Sequence, residues 1–302
     1  MTTLPPTDRP ADRAATLSPL TCADPSSSTT TVEPALPALP SAGRQSQLSD
    51  RDVAVLRSLG LLRLLTAGQV QRLHVADGSP RTQARRTRSL LERLAKLRLV
   101  VRFNRQVGGV RAGSSGFVYG LSARGQAVVG IGGVHGGRRR RVWDTKLGFQ
   151  NHVLAVAELY VTLIEAERHG QTEVLEFQAE PGCWRRTSGS GGEPVILKPD
   201  AYLRLGVGEE ERSAFVEVDL ATESGPTVAR KCQAYVAYWR SGAEQAQRDV
   251  FPAVVWLTTT EQRAARIADA IQRLPIEARA LFQIALLAQG VNVLSGANGG
   301  TA

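Results

Sequence analysis

The chain of 302 residues has little cysteine, only four lysines, one methionine and 5% aromatic residues. Its three cysteines, Cys22, Cys183 and Cys232, are odd in number, far apart and form no CxxC pair. That pattern argues against both a disulfide framework and a cysteine zinc site, and it suits a reducing compartment. No run of about 18 apolar residues occurs, and the opening "MTTLPPTDRP" lacks a basic stretch followed by an apolar one, so neither a membrane span nor a secretory signal is expected. The expectation is a cytoplasmic protein with no membrane partner. A glycine-rich phosphate loop of the GxxxxGK[ST] type is missing, which argues against a nucleotide triphosphatase. The four histidines, His74, His135, His152 and His169, are scattered and do not make the metal-binding cluster that a tyrosine-dependent relaxase needs.

What is plentiful is arginine. The net charge of +9 and pI near 10.1 suggest a polyanionic partner. Because all but four of the 37 cationic residues are arginine, a bias that a GC-rich genome also produces, each lysine is the more informative. With 42% hydrophobic and 22% charged residues, the chain has enough apolar surface for two domains plus tails. Residues 1–46 hold most of the prolines and a "SSSTTT" run, a composition too polar to offset ordering entropy, and are expected to be a disordered tail.

Residues 47–130 read as a winged helix-turn-helix. "LSDRDVAVLRSLGLLRLL" is amphipathic with Ser49 or Asp50 as cap, "LTAGQVQRLH" is a second helix capped by Thr66, and "RTQARRTRSLLERLAKLRLV" is a third, entered through Ser79 and Pro80. On the third helix Ala84, Thr87, Leu90, Leu91, Leu94 and Leu97 share one face, with Arg81, Arg85 and Arg88 opposite. "LVVRFNRQ" and "FVYGLS" follow as strands around a Gly-rich turn, then a short helix in "ARGQAVVG". Between Arg81 and Arg105 nine Lys and Arg residues face a single acid, Glu92. Duplex DNA carries about one phosphate charge per 1.7 Å, so such a helix is suited to enter the major groove. Arg81, Arg85 and Arg88 are the candidate contacts, with Arg102, Arg105 and Arg111 on the wing. Arg138, Arg139, Arg140 and Arg141, in a basic Gly-rich linker at 131–142, would track phosphates beyond it. The competing interpretation is a solvated basic helix used for protein contacts.

Residues 143–275 read α, β, β, β, α, β, α, which predicts an α/β domain with a mixed central sheet, and 276–302 are expected to form a C-terminal helix and a flexible tail. In "SAFVEVDL" alternation sets Val216 and Val218 on one face of a strand and Phe215, Glu217 and Asp219 on the other. Asp200, on the preceding strand, can join Glu217 across a hairpin to hold one Mg²⁺ or Mn²⁺ through hard oxygen ligands, which would activate a water toward a phosphodiester. The same acids read equally as ordinary polar strand positions. His152, at the start of a long helix, is a weaker candidate for phosphate contact or ligand orientation.

Pro199-Asp200 and Glu217-Val218-Asp219 resemble the motifs of the PD-(D/E)XK nuclease superfamily, except that Asp219 stands where the superfamily has lysine. The resemblance implies a further acid on the first core helix, for which Glu158 is the candidate. It also implies a relocated cation, for which Lys231 on the helix "VARKCQAYVAYWRSG" is the candidate, four residues before Tyr235 and on the same helix face. Asp219 would then be an additional ligand or the ion-pair partner of Lys231. Taken in order, "LSDRDVAVLRSLGLLRLLTAGQVQRLH", "RTRSLLERLAKLRLVVRF", "FVYGLSARG", "NHVLAVAELYVTL", "LKPDAYLRL", "FVEVDLATES", "RKCQAYVAYWRSG" and "FPAVVWLTTTEQRAARI" resemble the replication-relaxation family of bacterial plasmid and mobile-element proteins. That resemblance implies a role in replication, relaxation or mobilisation, with double-stranded DNA and other plasmid replication or mobilisation proteins as partners. The alternative is a winged-helix transcriptional regulator with a non-catalytic α/β domain.

Overall fold

Ser49 starts the first helix by a reciprocal cap: its hydroxyl accepts from the Asp52 N–H, and the Asp52 carboxylate accepts from the Ser49 N–H at 2.8 Å. The computed structural model describes residues 48–103, 117–130, 147–188 and 192–297. The tail expected at 1–46, the wing tip with Arg105 and Arg111, and the linker with Arg138, Arg139, Arg140 and Arg141 lie outside the described residues. Three helices, α1 (Asp50–Leu62), α2 (Ala67–His74) and α3 (Pro80–Lys96), stand where periodicity and caps placed them, and Thr66 and Ser79 cap the second and third. Strands β2 (Val100–Phe103) and β3 (Val118–Leu121) form the expected hairpin, and α4 (Ala123–Val128) follows. A three-residue strand not anticipated from sequence, β1 (Leu64–Thr66), pairs antiparallel with β3 and completes a three-stranded sheet in the order β1-β3-β2.

Helix α3 buries Thr87, Leu90, Leu91 and Leu94, whereas Arg81, Arg85 and Arg88 are exposed. The buried side meets Val55, Leu56, Leu59 and Leu62 of α1, and this core also takes in Ala157 and Val161 of α5 (Leu147–Arg168). Helix α5 is therefore apolar on two sides. Its other side, Val156, Leu159 and Leu163, packs on the central sheet.

That sheet has the order β10-β9-β8-β7-β4, built from β4 (Glu173–Ala179), β7 (Ala201–Val207), β8 (Glu210–Asp219), β9 (Ala253–Thr258) and β10 (Phe282–Leu286). β4, β7 and β8 are antiparallel neighbours, while β8, β9 and β10 run parallel. A small hairpin of β5 (Arg185–Ser188) and β6 (Pro194–Leu197) lies between β4 and β7 in sequence. Helices α6 (Gly225–Arg240) and α8 (Glu261–Gln272) cover the face opposite α5 around Tyr202, Phe215 and Trp256. The short helices α7 (Ala243–Arg248), α9 (Ile276–Arg279) and α10 (Gly290–Leu294) complete the described chain. The mixed α/β architecture is the expected one.

The C-terminal segment differs from expectation. Instead of one long helix, 276–297 holds α9, the strand β10, and two short helical turns. The cause is tertiary: β9 presents a parallel edge, and Phe282–Leu286 satisfies its backbone groups in register from Val254 to Thr258. Propensity for a helix in a short apolar run yields to that demand.

Gly125 in α4 has a neighbour that leaves no space for a side chain. A Cβ there would lie 2.0 Å from the Leu99 carbonyl oxygen, whereas one on Gly148 in α5 would meet nothing within 4 Å. Gly125→Ala is expected to lose about 1–3 kcal/mol in chemical denaturation through forced backbone displacement. Gly148→Ala should be neutral or gain up to about 1 kcal/mol from helix propensity.

Candidate functional site

Burial is the first property of the acids on β8. Glu217 and Asp219 are 1% and 2% exposed, and Asp200, just ahead of β7, is 5% exposed. Strand alternation puts Glu217 and Asp219 on the α6 side with Phe215, as the sequence pattern predicts, and Val216 and Val218 toward α5. Each carboxylate therefore needs a compensating partner, because an unpaired buried charge costs far more than a paired one.

Asp200 and Glu217 are held separately. The Val218 N–H donates to Asp200 Oδ2 at 2.7 Å, and His152 Nε2 of α5 lies 3.1 Å from Asp200 Oδ1. Burial depresses the His152 pKa, but the hydrogen bond and charge of Asp200 outweigh it and raise the imidazole above its usual value. On the other side, Lys231 Nζ donates to Glu217 Oε2 at 2.7 Å and the Tyr235 hydroxyl donates to Oε1 at 2.6 Å. Lys231 and Tyr235 thus do share the face of α6 that meets β8. Burial and the Asp200 charge push the Glu217 carboxyl well above the ordinary carboxylate range, with Lys231 and Tyr235 pulling it back. For Lys231, burial favours the neutral amine, but Glu217 and Asp200 prevail and raise its pKa, so the ammonium stays charged.

Two assignments need correction. Asp219 neither joins Asp200 nor pairs with Lys231: Arg263 of α8 donates to Asp219 Oδ2 from Nε at 2.8 Å and Nη2 at 2.5 Å, and the Ala221 N–H caps Oδ1 at 2.7 Å. Glu158 does not complete the cluster. It lies on the part of α5 that faces α2, where it pairs with Arg72 and accepts from Gln69 Nε2 at 3.0 Å. The α5 residue that does reach the acids is His152, six positions earlier. Arg102 is exposed and stacks its guanidinium 4.2 Å from the centre of the Phe117 ring.

Two residues that sequence reading missed also approach Asp200. Glu180, just past β4, has its carboxyl raised by burial and by Asp200, and Arg63, just past α1, lies 3.8 Å from it. Arg63, His152, Glu180 and Asp200 line a crevice of about 10 Å³, room for roughly one water, between α1 and the sheet. Glu180 had no motif to mark it. Nearby thiols contribute no nucleophile: burial pushes both Cys183 and Cys232 up to about 12, and neither forms a disulfide.

The side chains as they stand do not fit a resident divalent ion. Both oxygens of Asp200 and both of Glu217 are engaged, one of them by an ammonium. Among the described residues no three His, Cys, Asp or Glu side chains converge at metal-binding distance. Hard-cation sites instead leave several oxygens directed at one point. What the arrangement does provide is tight charge pairing that locks β8, α6 and α8 together.

Residues 56–254 match the model of one protein family, described as replication-relaxation. Comparison with curated proteins and with solved structures gives no match. No helix among the described residues is long and apolar enough to cross a membrane.

The raised Glu217 pKa has a definite sign in pH titrations. A carboxyl whose folded pKa exceeds its unfolded value contributes stability in full below the unfolded value, and that contribution is lost as pH rises through the folded one. Here the window runs from about 4.5 to about 8. The stability of the wild type relative to Glu217→Gln, from urea unfolding, should therefore decline across that window and level off on either side. A difference independent of pH would show that Glu217 is ionised at little cost.

Proposed function

The chain belongs to the replication-relaxation family, and on that premise we propose that it binds duplex DNA and serves the replication, relaxation or mobilisation of a plasmid or similar mobile element. The observation that carries the reading is the free face of α3. Arg81, Arg85 and Arg88 are exposed and make no ion pair or hydrogen bond with any described residue. Many other arginines are spent internally, among them Arg72 on Glu158 and Glu165, Arg93 on buried Asp52 and Arg263 on Asp219. Arg57, Arg124, Arg230, Arg266 and Arg273 are also exposed and unpaired among the described residues, but α3 gathers three such arginines on one helix face. A rigid, capped helix with three uncompensated cations on one side is the surface that a phosphate backbone would neutralise.

The element order α1-β1-α2-α3-β2-β3 supports reading this part as a winged helix, with α3 as the helix presented to the major groove. Arg102 on β2 is a further exposed arginine of this part, stacked on Phe117. In this reading the α/β part is a scaffold that holds the DNA-binding part through α5, and no metal-dependent cleavage step is assigned to it.

The test uses the full chain and a labelled DNA duplex, with affinity followed by fluorescence anisotropy over a range of salt. Replacing Arg81, Arg85 and Arg88 together with Ala should remove most of the affinity. The slope of log affinity against log salt should flatten by about 0.9 for each lost phosphate contact. Equal affinity and slope in the triple variant and the wild type would sink the assignment of α3.

A further inference from the structure

Three buried carboxylates near the C-terminal end of β8 each have a different cationic partner: Asp200 faces His152, Glu217 faces Lys231, and Asp219 faces Arg263. The middle pairing has a feature the others lack. Lys231 Nζ stands 2.7 Å from Glu217 Oε2 and 2.7 Å from Glu223 Oε1, so one ammonium bridges an acid of the strand and an acid of the loop that leads into α6. Bridging two acidic oxygens is what a divalent cation does in a carboxylate site.

The surroundings fix the ammonium in that position. Ser224 caps α6, which orients the turn carrying Lys231. The Glu223 carbonyl accepts from Arg263 Nη2 at 2.8 Å, tying the loop to the same arginine that neutralises Asp219. Trp256, paired with Glu217 across β8 and β9, puts its ring centre 5.7 Å from Lys231 Nζ. Glu223 Oε2 is buried without a hydrogen-bond partner, an oxygen that the bridging ammonium leaves unused.

We propose that Lys231 is a built-in substitute for a divalent cation, so that the acidic site of this chain is closed to metal and is held together by its own ammonium. Removing the ammonium leaves Glu217 and Glu223 facing each other, an uncompensated acidic pair that a hard dication then enters. The inference concerns metal and stability only and does not depend on the DNA-binding reading.

The experiment compares the wild type, Lys231→Ala and the double variant Lys231→Ala with Glu217→Gln, using calorimetric titration with MnCl₂ and thermal unfolding with MnCl₂ or EDTA. The wild type is expected to give no binding heat and a Tm that neither additive moves. Lys231→Ala should have a lowered Tm that climbs with the logarithm of Mn²⁺ concentration, as binding to the folded state alone requires, with about one ion bound per chain. The double variant, relieved of one acid, should fold and ignore Mn²⁺. Stoichiometric Mn²⁺ binding by the wild type would overturn the proposal. So would a Lys231→Ala chain that shows no Mn²⁺ response, or that stays unfolded with Mn²⁺ while the double variant folds. No readout involves DNA, so a failure of the α3 assignment would leave these results to stand on their own.

Discussion

Everything around the central sheet depends on how β8 keeps negative charge out of water. Glu217 and Asp219 sit on one face of a central strand, where a bare carboxylate would be prohibitively costly. The chain meets that cost from α6 and α8: Lys231 and Tyr235 reach Glu217, and Arg263 reaches Asp219. Two helices are thus keyed to one strand by charge as well as by the apolar contacts of Tyr202, Phe215 and Trp256. Loss of one member would strand its partner in the core, which is why such pairs specify position more than they add net stability.

Helix α5 links that sheet to the rest of the described chain. Ala157 and Val161 belong to the core of α1, α2 and α3, while Leu159 and Leu163 belong to the core under the sheet. The polar positions follow the same division. Glu158 and Glu165 bind Arg72 of α2, and His152 binds Asp200. A helix with both sides occupied cannot shift against one core without disturbing the other, since packed interiors transmit displacement.

Much of this was legible in the sequence because it was local. Ser49, Thr66 and Ser79 marked helix starts correctly, the α3 wheel separated Thr87, Leu90, Leu91 and Leu94 from Arg81, Arg85 and Arg88, and alternation on β8 grouped Glu217 with Asp219. The spacing of Lys231 and Tyr235 put them on one helix face, and in the structure both donate to Glu217. What failed was nonlocal. Strand β10 is set by an edge of β9, Glu158 is claimed by Arg72 some 86 positions earlier, and Asp219 by Arg263 44 positions later. No periodicity within a segment reports which distant cation will neutralise an acid.

Arginine shows the same limit from the other side. A basic sequence says only that cations outnumber acids; function turns on which of them the fold leaves uncompensated. Arg72, Arg185, Arg248 and Arg263 pair with acids inside the structure and serve cohesion. Arg81, Arg85 and Arg88 are anchored on a helix whose opposite side is fully packed, and they have no acid to satisfy them among the described residues. Their charge acts outward, on whatever approaches, and a ligand with regularly spaced negative charge gains most from it because displaced counterions add to the attraction. The fold thus separates two kinds of cation: those matched by buried acids hold it together, and those left unmatched on α3 face outward with their charge uncompensated among the described residues.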